Sequence, residues 1–188
     1  NLNEGVATFT ALRRAKVPVK MLWVEGGHSG PLAPGEIDFA APDPSTQYVT
    51  QRVTAWFDHY LKGTSADTGP LFGYFRDWVT YSGSARPAYA TSPTFPVGTG
   101  RRLFLSGTAL TSDATKIAAG SQTFVTPPAG APTTTNVIDV VGKQVPLPEK
   151  DLPGTSATWA TGALGSALDV VGSPTLDLSV SAPLAQAA

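Results

Sequence analysis

Leu2, Val6, Phe9 and Leu12 recur at steps of three and four residues. That spacing sets side chains on one face of a helix and predicts one over residues 3–16, with Gly5 weakening its first turn. Pro18 breaks the period, and the run "VPVKMLWV" predicts a strand over Val17–Val24. Val19, Met21, Leu22, Trp23 and Val24 are apolar without alternation, as expected of a strand covered on both faces of a parallel sheet. Gly26 and Gly27 end it. Pro31, Pro34 and Gly35 then shape a non-helical loop from Ser29 to about Pro42. Asp43 before Pro44 suits a helix N-cap with proline in the first turn. Val49, Val53, Trp56, Phe57, Tyr60 and Leu61 form a wide apolar stripe that predicts a helix over Gln47–Leu61, with Gly63 as its stop.

Beyond Gly63 the pattern changes. Short apolar or alternating runs, "LFGYF", "RRLFLS", "QTFV", "NVIDVV", "SATWAT", "ALDVV" and "TLDLSVS", are separated by turn-forming clusters. Short strands at such spacing, with little helical period between them, predict a β-sandwich or jelly roll. In the last run Leu176, Leu178 and Val180 fall on one face and Asp177, Ser179 and Ser181 on the other. The chain therefore divides into residues 1–65, the helix–strand–loop–helix end of a parallel α/β sheet, and residues 66–188, part of an all-β domain. Both are expected to be incomplete. A partner for the strand at 17–24 is expected upstream of Asn1, and strands closing the sandwich beyond "TLDLSVS". Residues 1–188 alone should then be poorly soluble or loosely packed.

Composition narrows the partners. Hydrophobic residues make up 41% and charged residues 14% of the 188, which marks a globular chain. A formal net charge of −1 gives no reason to expect nucleic acid, and no basic block invites an anionic membrane. No apolar run approaches the roughly 20 residues of a membrane span. Cysteine is absent, which removes disulfides, thiolate metal sites and a cysteine nucleophile from this chain. The cellular compartment and the oligomeric state are left open.

His28 is the first of two histidines and stands at the C-terminal end of the predicted strand, where open α/β sheets place ligand and catalytic groups. Two glycines before it permit a sharp turn. A loop histidine bonded to a nearby carbonyl has the same sequence signature, so position alone leaves both readings open. Ser29 fails as a nucleophile elbow, because G-x-S-x-G requires glycine where Pro31 stands. Ser65 and Ser156 meet Asp67 and Thr158 at the same offset. Glu25 is too close along the chain to suit a triad acid, which arrives from a separate loop, and a solvent or loop contact fits it better. His59 lies beside the apolar Trp56, Phe57 and Tyr60 and reads as a residue on the helix flank. Two histidines so differently placed make no metal cluster.

Taken together, "ALRRAKVPVKMLWVEGGHSG", "TQRVTAWFDHYLKG" and "GPLFGYFRDW" resemble the cocaine esterase / X-prolyl dipeptidyl peptidase family of serine hydrolases. "SATWATGALGSALDVVGSPTLDLSVSA" is similar to a segment of that family's C-terminal jelly-roll domain. The resemblance implies an α/β-hydrolase domain followed by a β-sandwich, with a triad ordered Ser, Asp, His along the chain. It puts the triad base at His28, in the loop between the last strand and the last helix of the hydrolase sheet. The serine, the aspartate and the oxyanion-hole donors would all precede Asn1, so residues 1–188 alone are expected to be inactive. The remainder of the same polypeptide is thus an implied partner, and the substrate a small-molecule ester or amide. No cofactor and no metal are implied. A competing reading makes the β half a carbohydrate- or protein-binding module and His28 incidental, and it would be favoured by Trp78 or Trp159 exposed on a flat sheet face.

Overall fold

A computed structural model of the chain describes residues 2–26, 32–125 and 153–182. Contacts divide it into two units, residues 1–97 and 98–188.

In the first unit, helix α1 spans Leu2–Arg14, with Glu4 in its first turn and Arg13 and Arg14 in its last, charges that complement the helix dipole. Phe9 is its buried residue; Val6 and Leu12 are partly covered, and Leu2 is exposed. The helix closes before Pro18. Lys16 N–H donates to the Arg13 carbonyl and Val17 N–H to the Leu12 carbonyl, the paired bonds of a Schellman cap. Lys16 takes the left-handed conformation, φ 57°, that glycine ordinarily supplies there.

Strand β1 is the short core of the predicted run, Met21–Trp23. It pairs in parallel with β2, Phe72–Phe75, in the register Met21↔Phe72, Leu22↔Gly73 and Trp23↔Tyr74. β2 pairs antiparallel with β3, Tyr89–Ser92, so the sheet is mixed and ordered β1-β2-β3. The "LFGYF" run, grouped above with the sandwich, is thus the neighbour of β1, and β1 finds a partner downstream in the chain.

Cover lies on both faces, as the unbroken apolar run predicts. On one, Trp23 and Phe72 meet edge to face at 5.0 Å, and Phe95 packs on Trp23, Phe72 and Phe9. On the other, Leu22, Val24 and Phe75 pack against the cluster of Tyr48, Val49, Ala85 and Tyr89. Gly73 leaves the space that Leu22 fills: a β-carbon there would stand 2.8 Å from Leu22 Cδ2.

Asp43 does cap a helix, but a single 3-10 turn, Pro44–Thr46, whose Ser45 N–H it accepts at 2.9 Å. Helix α2, Tyr48–Tyr60, follows at once. Its stripe is buried at the start, at Tyr48 and Val49, but Phe57 is 50% exposed and Leu61, just beyond the end, 77%. Apolar spacing requires something to pack against, and no described element covers that end. Arg52 anchors the helix to the approach to β2 by donating to the Thr68 carbonyl.

The second unit holds one hairpin, β4 (Phe104–Ser106) with β5 (Ala109–Thr111). Gly107 occupies the first position of its two-residue turn with φ 59°, as a type II′ turn favours. Of the remaining predicted strands, "SATWAT" contributes one bridge, Ala160 to Ala109. "QTFV" is tied only by isolated bonds: Gln122 exchanges two with the Thr158 backbone, and Val125 N–H donates to Gly154. "ALDVV" and "TLDLSVS" form no ladder, and "NVIDVV" lies outside the described residues. Alternation alone does not make a strand. It needs a second backbone alongside, and among the described residues none lies beside 175–181. The observed class is therefore a small mixed α/β sheet with two helices, followed by a β-containing unit. No helix among the described residues is long and apolar enough to cross a membrane.

Candidate functional site: the turn that follows β1

His28 and Ser29 lie outside the described residues; Glu25, Gly26, Leu32 and Ala33 on either side are within them. What the structure brings together is the turn at 33–38, the end of β1, the start of α2 and β3.

Glu36 is at the centre, 0% exposed. Ala33 N–H donates to its Oε2 at 2.8 Å, Glu25 N–H to its Oε1 at 3.2 Å, and the Tyr89 hydroxyl also to Oε1. A buried carboxylate forfeits its hydration, a cost of several kcal/mol that only strong donors offset. Among the described residues no cation takes part, and two backbone N–H groups and a phenol are the donors. The Tyr89 hydroxyl is held protonated far above its ordinary range, first by burial and then by the bond it gives Glu36. Tyr81 is also pushed up, by burial and then by the charges of Glu36 and Glu25, and its hydroxyl donates to the Pro34 carbonyl at 2.8 Å.

The backbone of the same turn caps α2. Gln47 offers no side-chain cap. Instead Tyr48 N–H donates to the Gly35 carbonyl at 2.9 Å and Val49 N–H to the Glu36 carbonyl at 2.8 Å, satisfying donors that a helix start leaves free. Ala85 N–H also reaches the Gly35 carbonyl, at 3.1 Å. Gly35 has φ 77°, and a β-carbon on it would lie 2.1 Å from the Gly83 carbonyl oxygen, so only glycine fits. Thr50 is buried and accepts from Asp38 N–H, closing the turn on its far side. A shallow cleft of about 310 Å³, lined by Pro34, Val79, Thr80, Tyr81, Ser82 and Gly83, opens beside it.

The other residues singled out above are dispersed. Glu25 is exposed, and it enters the turn through its backbone N–H and not through its carboxylate. His59 is exposed near the end of α2, edge-on to Tyr60 at 4.6 Å, on the helix flank as predicted. Trp78 is 59% exposed but sits on the turn after β2, off any sheet face. Trp159 is half-buried, its indole N–H donating to the Gly107 carbonyl at 2.9 Å. Glu36 and Tyr89 carried no signal that singled them out. "APGEI" reads as an ordinary polar turn, and the tyrosine as one aromatic among several. Only the fold, by closing β3 over the turn, makes the pair visible. No family model, curated protein or solved structure matches the chain.

Proposed function

We propose that the chain is part of a serine hydrolase that cleaves ester or amide bonds through an acyl-enzyme, with His28 as general base. The nucleophile and the acid belong to polypeptide outside residues 1–188. In this reading β1, α2 and the strand β2 that pairs with β1 belong to an α/β-hydrolase sheet, and the second, β-containing unit is part of a jelly-roll domain. The observation that supports it best is local. β1 has the parallel partner and two-sided cover of a hydrolase sheet strand, and the segment carrying His28 runs from its C-terminal end to a turn that caps the next helix.

The chemistry follows from the imidazole. Neutral His28 takes the proton of a serine hydroxyl as the oxygen attacks the substrate carbonyl, then returns it to the leaving alcohol or amine. A carboxylate on the other ring nitrogen fixes the tautomer and stabilises the imidazolium that forms. Water repeats the cycle to release the acid. Specificity resides outside the chain, in the pocket on the serine side.

A fluorophosphonate probe applied to the intact enzyme tests this. The expected result is a single labelled serine outside residues 1–188, with labelling lost in His28→Ala. Labelling unchanged by that substitution would refute the assignment.

A further inference from the structure

At the opposite end of the parallel pair, where the chain enters β1 and β2, lies an open cleft of about 560 Å³. The end of α1, the approach to β1 and the last turns of α2 form its walls, and all belong to the first unit. Three cations line it, Arg13, Lys16 and Lys20, beside the rings of Trp56 and Tyr60; among the described residues no carboxylate does. We propose that this cleft binds a small organic anion, a flat apolar or aromatic body carrying a carboxylate. The rings take the body and the cations take the charge. The site lies apart from the turn after β1 and does not depend on the hydrolase reading.

Charge is the first support. Among the described residues the ion pairs are Lys62 with Asp58 and Lys116 with Asp113, so Arg13, Lys16 and Lys20 have no carboxylate partner there. The dipole at the end of α1 accounts for cations at Arg13 and Lys16 but not for Lys20, which stands well beyond the helix. Lys20 is partly buried and donates to the Gly69 carbonyl. Burial, and then the like charge of Arg52, hold its ammonium below the ordinary lysine range, and Asp67 opposes them only in part. An anion in the cleft adds attraction where Lys20 is short of it. The aromatic wall is the second support. Trp56 and Tyr60 stand four residues apart on one face of α2, their rings 4.3 Å apart at 43°, and Tyr60 is exposed. A flat ring laid against them gains apolar contact and the attraction between aromatic systems. Lys16 is the third. It takes a left-handed backbone where glycine would serve the cap, and its side chain lines the cleft. Strain of this kind gathers where a side chain is needed for binding. The volume also suits the ligand, since small-molecule sites run from about 300 to 1,000 Å³.

Equilibrium dialysis of the intact protein against 2-naphthoate, an aromatic carboxylate, is the test. At about 20 mM salt, where exposed charges are little screened, a Kd on the order of 0.1–1 mM is expected for a ligand of that size in an open cleft. At about 300 mM salt the Kd should rise roughly threefold or more. 2-Naphthylmethanol has the same ring without the charge and should bind at least roughly tenfold more weakly.

Two substitutions locate the binding. Lys16→Gly should weaken 2-naphthoate roughly two- to fivefold. Its unfolding midpoint should rise at the same time, because the strain leaves the cap. A lysine with only a structural role would move the midpoint and leave the affinity alone. Trp56→Ala should weaken binding roughly tenfold. Should Trp56→Ala fail to fold, Lys16→Gly decides by itself, since it is expected to fold at least as well as wild type. No binding, equal affinity for the acid and the alcohol, or wild-type affinity in either folded variant overturns the proposal.

Discussion

Tyr89 shows what one proton does in this fold. Its hydroxyl is buried against the Glu36 carboxylate, which raises its pKa well above the ordinary tyrosine value of about 10. Above that value an unfolded chain gives up the proton while the folded chain keeps it. The folded state then binds more protons than the unfolded state, so stability falls as pH rises. The contribution is complete below about pH 10 and declines above it, toward the raised folded value. Denaturant unfolding followed from pH 8 to 11 should show this alkaline loss in wild type and a shallower one in Tyr89→Phe, which has no proton to release at that position. Identical slopes would mean that the hydroxyl is not held as described.

At the scale of elements, α1 ends on a residue ill suited to its place. Lys16 adopts a left-handed conformation that costs a side-chain-bearing residue about 1–2 kcal/mol. Lys16→Gly removes that strain and concedes part of the gain to a more flexible unfolded chain, so a net stabilisation of about 0.5–1 kcal/mol is expected from denaturant titration. A destabilised variant would show that the lysine side chain holds the cap. Much of the element order was legible in the sequence because it depends on near neighbours. Phe9 and Leu12, Met21 to Trp23, and Asp43-Pro44 each announce themselves within a few residues. What was not legible depends on distant chain. Nothing near "LFGYF" tells whether it joins β1 or a sandwich, and nothing in "TLDLSVS" tells whether a partner strand lies beside it. For the site, Pro34 and Gly35 could be read as shaping the loop before α2, whereas the Glu36–Tyr89 bond joins residues 53 apart.

Across the whole molecule, burial is uneven. Every buried side chain among the described residues lies in the first unit, from Phe9 to Ser92. In the second, Val170, Leu176, Leu178 and Val180 are exposed and belong to no ladder. The first unit is therefore where a site can be held to catalytic tolerance, and its organised centre is the turn between β1 and α2. Everything proposed about function depends on His28 being the general base. The most direct measurement is the steady-state turnover of a p-nitrophenyl ester by the intact enzyme carrying His28→Ala, compared with wild type at matched folding. The account predicts a fall in kcat of several orders of magnitude with the unfolding midpoint preserved. Turnover close to wild type would contradict it.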